Sequence, residues 1–311
     1  MNYTALTKRP AVFQRLTGLT ITEFESVLDK FKSIFYQEYT AKLANSPNRK
    51  RKYGAGRPAE LKDDANKLLF ILCYVRVYPL FFVQGLMFNM VESGAHYWVH
   101  ALMPILDKTL GFTHTKPSRS GKSVNEILAE FPELRSMGVL IDGTERPIRK
   151  PKDEDKRTTK YSGKKKRHTI KNLVVSSPVD KRVIFLGKTQ DGSVHDKLCV
   201  DYEKLTYTPP GGRETIPILG DGGFKGLEIP GATVNLPFKK PNGGELTELE
   251  KSQNKLFSHF RVSVENAICG VKRSRCLTDV YRNTKKDFDD LLMSVGCGLH
   301  NTRVAYRFAK A

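Results

Sequence analysis

The 311-residue sequence has few acidic residues, few cysteines and no unbroken hydrophobic run long enough for a bilayer. Its 33 Asp and Glu face 52 Lys and Arg, so the formal charge is +19 and a polyanion is the expected partner. Five scattered cysteines without a C-x-x-C pair argue against a disulfide framework or a zinc knuckle. Arg76, Pro79 and Gln84 interrupt the most apolar stretch, and the N-terminus lacks signal-peptide order, so we expect a cytoplasmic protein that makes no use of a membrane.

Large apolar side chains are present in sufficient number for a folded core. Hydrophobic residues make up 39% of the chain, with 17 Phe and 12 Tyr. A chain of this length exceeds the size at which single cores stop growing, about 250–300 residues, which suggests two domains. We divide it into an N-terminal helical segment (1–45), a basic linker or arm (46–60), a helix-turn-helix domain (61–110), a linker (111–135) and an α/β domain (136–311).

The segment NSPNRKRKYGAGRP is basic, free of acid and rich in Gly, Pro and Ser. Such a segment can be a solvated linker that only adds charge. It can also be an arm that places Arg49, Arg51 and Arg57 in a narrow minor groove, where the potential is most negative. Both interpretations stay open.

Three helices are predicted over residues 61–78, 80–89 and 93–110, with Ser93 near the third N-cap. A short second helix, a turn and a third helix form a helix-turn-helix pattern, in which the third helix enters the major groove. His96 and His100 would then face base edges. A plain helical bundle is the alternative, and the net charge and the adjacent basic arm favour DNA binding.

Beyond residue 136 the pattern changes to short apolar strands between turn residues, as in a mixed α/β domain. Two strands end alike, in VLID-G at Asp142 and in ILGD-GG at Asp221. Catalytic groups tend to lie beyond the carboxyl ends of strands in α/β sheets. Asp-Gly is also a common tight-turn dipeptide, so each aspartate alone is better explained as a turn.

A third acid, Glu265, lies in a predicted helix over residues 255–275. At 100° per residue, it shares one stripe with Arg261, Lys272 and Arg275, at the margin of the apolar face. It could turn inward towards the strand-end aspartates. The alternative is an exposed i,i+4 ladder with Arg261, which helix geometry alone favours.

Three carboxylates from distant positions are a donor set suited to a pair of Mg²⁺ ions in phosphodiester chemistry. Residues 145–171 carry twelve Lys and Arg against four acids. This run could be a solvated loop, or it could hold a phosphate backbone beside Asp142. The candidate phosphate-binding residues are Lys164, Lys165, Lys166 and Arg167.

Taken together, the motifs IDGTERPI, KYSGKKKRHTIKNLVV, GSVHDK, LGDGGF, LPFKKP, RVSVENAICGVKR and CGLHNTR resemble the DDE transposases of bacterial insertion sequences, in particular the insertion-sequence-five-like branch. The resemblance covers roughly residues 60–305. It implies an RNase H-like α/β catalytic domain in which Asp142, Asp221 and Glu265 bind two Mg²⁺ ions, for which Mn²⁺ can substitute. It also implies DNA contacts from Arg261 and Lys272.

The sequence departs from the wider group at Ser258, where that group has Tyr, which puts any tyrosine-dependent contact in doubt. Asp196 of GSVHDK is a rival for the second carboxylate. We prefer Asp221 because it ends an apolar strand, whereas Asp196 is predicted to cap a helix. Asp196 and His195 are then supporting residues around the metal site, with a purely structural role equally open for His195.

The resulting expectation is a transposase that binds the inverted repeats at the ends of its element, cuts the DNA and joins the 3′-OH ends to target DNA. Bringing two ends together implies at least a dimer on DNA, in the cytoplasm and at the nucleoid. Two rivals remain: a domesticated nuclease that cuts without joining, and a non-catalytic helix-turn-helix regulator.

Overall fold

The computed structural model describes residues 1–45, 60–119, 125–126, 128, 132–208 and 215–308, which fall into two compact units. The helical unit comprises residues 1–116, 272–279 and 284–311, and the sheet unit comprises residues 117–271 and 280–283. This division differs from the sequence-based one, which assigned everything after residue 136 to one domain. The difference arises because the last helix packs on helices near the N-terminus.

The helical unit is built from seven α-helices and one short 3₁₀ helix in its described residues. They are α1 (Tyr3–Thr7), α2 (Pro10–Thr17), α3 (Ile21–Ala44), α4 (Asp64–Val77), α5 (Phe81–Phe88), α6 (Glu92–Phe112), the 3₁₀ helix η2 (Arg275–Leu277) and α11 (Phe288–Phe308). A capping box starts α3: Thr20 N–H donates to Glu23 Oε2 at 2.7 Å, and Glu23 N–H donates to Thr20 Oγ1 at 3.2 Å. Helix α6 contacts α3, α5 and α11, so it lies at the centre of this unit.

Helices α4, α5 and α6 correspond to the three helices predicted for the helix-turn-helix. The turn between α5 and α6 is only three residues long, and Asn89 adopts a left-handed conformation there, with φ of 56°. Helix α6 starts at Glu92 after the N-cap Val91, which makes no side-chain capping bond, and Ser93 lies near this N-cap as predicted. Apolar residues on every side of α4 are buried, as expected for a helix surrounded by others.

The sheet unit alternates strands and helices. In order they are α7 (Leu134–Met137), β1 (Val139–Pro147), α8 (Glu154–Thr159), β2 (Tyr161–Ser162), β3 (Arg167–Ser176), β4 (Val183–Leu186), β5 (Gln190–Asp191), α9 (Asp196–Glu203), β6 (Ile216–Leu219), the 3₁₀ helix η1 (Gly222–Phe224), β7 (Ala232–Asn235) and α10 (Glu248–Val271).

The sheet is mixed, with the strand order β2-β3-β1-β6-β7 and with β4 and β5 also paired to β3. Strand β3 runs antiparallel to β1, β4 and β5, whereas β6 runs parallel to its two neighbours, β1 and β7. Helix α9 contacts β1 and β3, and α10 contacts β1, β3 and β6. A mixed sheet flanked by helices confirms the predicted RNase H-like α/β class.

Two predicted boundaries are wrong. Strand β1 does not end at Asp142 but continues to Pro147, because β3 supplies backbone partners for residues 140–147. The Asp142-Gly143 pair is therefore extended strand and not a turn. Helix α10 ends at Val271, so Lys272 and Arg275 do not share a helical stripe with Glu265.

None of the helices that the structure describes combines the length and the hydropathy needed to cross a bilayer.

Candidate active site

Two neighbouring parallel strands place Asp142 and Asp221 side by side. Strands β1 and β6 pair Leu140 with Leu219, and each aspartate lies two residues further along its own strand direction. Asp221 directly precedes the 3₁₀ helix η1 and acts as its N-cap. Sheet register therefore brings together two of the three predicted metal ligands.

Backbone N–H groups fix both aspartates in place. The amide of Gly143 donates to Oδ1 of Asp142 at 2.7 Å, and the amide of Gly223 donates to Oδ1 of Asp221 at 2.7 Å. These donors orient the carboxylates but carry no full charge. The negative charge of the pair is therefore only partly balanced by its immediate bonds.

Crowding of negative charge is reflected in the pKa of Asp142. Burial and, after it, the carboxylates of Asp221 and Asp196 raise this pKa from its ordinary 3.8 to about 6. The Gly143 amide and the ammonium of Lys164 oppose the shift. A buried acid beside like charges is a common feature of catalytic and metal-binding sites.

Asp196 is a third carboxylate at this site, and its predicted position as a helix cap is wrong. Helix α9 begins at Asp196 with His195 as the N-cap, so Asp196 does not cap the helix. Its Oδ1 instead accepts a hydrogen bond from Lys171 Nζ at 2.8 Å, and its side chain is only 12% exposed. Asp196 and Asp221, the two candidates for the second carboxylate, therefore both lie near Asp142.

Two glycines leave the room that the Asp196 carboxylate occupies. A Cβ on Gly143 would lie 2.5 Å from Oδ1 of Asp196. A Cβ on Gly223 would lie 2.7 Å from Oδ2 of Asp196 and 2.8 Å from Oδ1 of Asp221. One small volume beside Gly223 therefore touches oxygens of two aspartates, and any larger residue would displace them.

Lys171 holds Asp196 from inside the sheet. This lysine, 5% exposed, also donates to the carbonyl of Val194 at 2.8 Å, and its Nζ lies 3.8 Å from Oε1 of Glu145. Glu145 pairs directly with Lys171 across β1 and β3 and accepts a bond from Thr169 Oγ1 at 2.7 Å. In the sequence, Lys171 is only one member of a basic run, because the strand register that buries it cannot be read there.

Glu265 differs from the aspartates. It lies on α10 with its side chain 57% exposed, and Arg261 Nη2 approaches its Oε1 at 3.5 Å. This is the exposed i,i+4 pair that helix geometry favoured. The helix does pack on the sheet through Val264, Ala267 and Val271, but the structure does not show Glu265 bonded to Asp142 or Asp221 in the described residues. Lys272 follows the last residue of the helix.

The predicted phosphate-binding run forms a hairpin tip. Residues 163–166 make the turn between β2 and β3, with Lys166 in a left-handed conformation at φ of 50°. The side chains from Lys164 to Arg167 are exposed. Lys164 lowers the pKa of Asp142, so the positive charge of this tip acts on one of the acids.

The remaining predicted residues are three histidines and the arginines of the basic arm. His96 is exposed on the second turn of α6, its ring centroid is 4.3 Å from that of His100, and burial followed by His100 lowers its pKa. His195 is exposed and makes no capping bond with its side chain. Arg49, Arg51 and Arg57 lie outside the described residues.

The donor chemistry of the aspartate pair fits a hard divalent cation. Asp142 and Asp221 offer oxygen atoms only, in a half-buried site where a cation would reduce the repulsion between like charges. Within the described parts of the chain, no group of three His, Cys, Asp or Glu side chains is arranged to hold one ion.

Comparison with known families gives two matches. Residues 141–301 match the model of a family described as "DDE superfamily endonuclease". Residues 61–112 match the model described as "Helix-turn-helix of DDE superfamily endonuclease". No curated protein and no solved structure matches the chain.

Proposed function

Because the chain belongs to the DDE superfamily endonucleases, we propose that it is a transposase, which cuts DNA at the ends of its element and joins the 3′-OH ends to target DNA. The observation that carries this proposal is the pair of half-buried aspartates on neighbouring parallel strands, on one of which Lys164 of the basic hairpin tip acts electrostatically. Burial and mutual repulsion prepare this pair for a cation.

The metal site would use Asp142, Asp221 and Glu265. Two Mg²⁺ ions, or Mn²⁺ in their place, would activate an attacking oxygen and stabilise a leaving one. Glu265 would have to leave Arg261, which costs little because an exposed i,i+4 pair contributes only about 0.3–0.5 kcal/mol. Its exposure leaves it free to turn.

Basic residues would position the DNA backbone at this site. The hairpin tip from Lys164 to Arg167 is exposed and close enough to Asp142 to influence its protonation. Phosphate contacts fix the register of DNA without reading its sequence. Arg261, once released from Glu265, and Lys272 would add two further cations.

Recognition of the element ends belongs to the helix-turn-helix. Helix α6 would place His96 and His100 near base edges in the major groove. The arm carrying Arg49, Arg51 and Arg57 would add minor-groove contacts. Because both ends have to be held together, we expect at least two copies of the chain on DNA.

The test is cleavage of element-end DNA in Mg²⁺ by the variants Asp142→Asn, Asp221→Asn and Glu265→Gln. Each loses a metal ligand, so cleavage should fall by ~10³-fold, which corresponds to about 4 kcal/mol. The control is Asp201→Asn, an exposed aspartate of the sheet unit, which should cut normally. Normal cutting by any of the three variants would reject that residue as a ligand.

A nuclease that cuts without joining is the second candidate, since the matched family is described as endonucleases. A strand-transfer assay with pre-cut ends separates the two, because only a transposase yields joined product. DNA binding in EDTA without any divalent-dependent cutting would instead support a regulator.

A further inference from the structure

The helical unit contains a cluster of arginines that the helix-turn-helix match does not explain. Arg76 lies in the last turn of α4, Arg303 lies in α11, and Arg273 and Arg275 belong to the short segment around η2. The 3₁₀ helix η2 packs on α4, which brings these distant chain positions together.

Hydrogen bonds and packing hold the inner members of the cluster. Arg76 Nε donates to the carbonyl of Arg15 at 3.3 Å, and Arg76 Nη1 donates to the carbonyl of Arg273. Arg76 Cδ and Arg303 Nη1 lie 3.4 and 3.7 Å from where a Cβ on Gly18 would stand. Arg76 and Arg303 therefore meet over the same glycine.

The cluster has an excess of positive charge. Both acceptors of Arg76 are neutral carbonyl groups, so these bonds cancel no charge. Burial and then Arg273 lower the pKa of Arg303 to about 10, and Glu23 acts in the opposite direction. Burial, Arg273 and Arg275 likewise lower the pKa of Arg76. The repulsion that these shifts report would be relieved by an anion.

The outer members of the cluster are accessible to such an anion. Arg273 and Arg275 are exposed, whereas Arg303 is buried and Arg76 is partly buried. Arg275 approaches Asp279 at 3.5 Å, with 64% of its side chain exposed. An exposed pair of this kind is worth about 0–1 kcal/mol and is easily exchanged for a phosphate.

We propose that Arg273 and Arg275, supported by Arg76 and Arg303, form a second DNA-binding surface of the helical unit, which grips backbone phosphates outside the helix-turn-helix. The planar guanidinium group suits phosphate oxygens, which it can bind through two parallel N–H donors. This proposal rests on DNA being the ligand of the proposed function. The arginines would add binding that does not depend on the DNA sequence to the sequence-specific contacts of helix α6, because phosphate contacts carry no base information.

The test is the salt dependence of duplex binding by the full chain in EDTA, so that no cutting occurs. The double variant Arg273→Gln/Arg275→Gln should lower the slope of log K against log salt by ~0.9 for each lost phosphate contact, about 2 in total. The loss should be the same for an element end and for an unrelated duplex. The Lys/Lys double variant keeps both charges and should restore most of the slope.

Arg9→Gln serves as the matched control, because Arg9 is an exposed arginine of the same unit without a side-chain capping bond. Its slope should stay close to that of the unaltered protein. An unchanged slope in the Gln/Gln double variant, or an equal loss in Arg9→Gln, would overturn the proposal and leave the cluster with a structural role only. If the unaltered protein fails to bind duplex DNA, the proposed function itself fails.

Discussion

The acids of the sheet and the acid of the helix occupy opposite environments. Asp142 is half-buried, Asp196 is 12% exposed, and Asp221 is held by a backbone amide beside them. Glu265 is 57% exposed and held by one long ion pair. Strand register places Asp142 and Asp221, and Lys171 bonds Asp196 at the start of α9, whereas Glu265 is held by a contact worth a few tenths of a kcal/mol.

This contrast suggests a division of labour in the metal site. Folding brings the aspartates together before any cation binds, and their negative charges repel one another. Under the proposed function, Glu265 would be a movable ligand that joins when a cation and DNA arrive. Such an arrangement couples completion of the site to binding, since the movable ligand gains a partner only when the cation is present.

Removing the ammonium group of Lys171, which lies among the carboxylates of the site, should have the largest effect on stability. Lys171→Met leaves the buried carboxylates of Asp196 and Glu145 without their ammonium partner. Breaking a buried pair in this way costs about 3–5 kcal/mol. Urea unfolding at pH 7 measures the loss of free energy of unfolding.

Lys160→Met is the matched control for that experiment. Lys160 pairs with Asp191 at 2.5 Å in the same unit, but both side chains are more exposed, at 25% and 38%. The control should lose about 1 kcal/mol or less. Equal losses in the two variants would show that the Lys171 network is no more important than a surface pair.

A second prediction sharpens the contrast through pH. The pKa of Asp142 is about 6 in the folded protein and 3.8 ordinarily, so the folded state holds the extra proton between these values. The contribution of Asp142 to stability is therefore complete below pH 3.8 and is lost as the pH rises through 6. The cost of its charged form above pH 6 is on the order of 2–3 kcal/mol.

Asp142→Asn removes this charge, so in EDTA the variant should be more stable than the unaltered protein above pH 6. The advantage should shrink towards pH 4, where Asp142 is protonated. Thermal or urea unfolding across pH 4–8 measures it. Parallel stability profiles for the two proteins would mean that burial and the neighbouring carboxylates do not destabilise the charged form of Asp142.

How much of this site the sequence could predict depends on the range of the interactions. Asp221 was predicted from an apolar run that ends in Asp-Gly-Gly, which is local information. The continuation of β1 through Asp142 was missed because it depends on pairing with β3. The bond from Lys171 to Asp196 was missed for the same reason, since the two residues meet only once the sheet and α9 have packed.

A substitution of Glu265 should have the smallest effect on the free energy of unfolding. Glu265→Gln removes only the long pair with Arg261, so we expect the free energy of unfolding to change by about 0.5 kcal/mol or less. Urea unfolding in EDTA measures this, and Arg261→Gln should behave alike because it breaks the same pair. A loss of more than about 1 kcal/mol would mean that Glu265 is as tightly bound into the fold as the sheet aspartates. The proposed recruitment of Glu265 would then require a structural rearrangement and not a simple rotation of one exposed side chain.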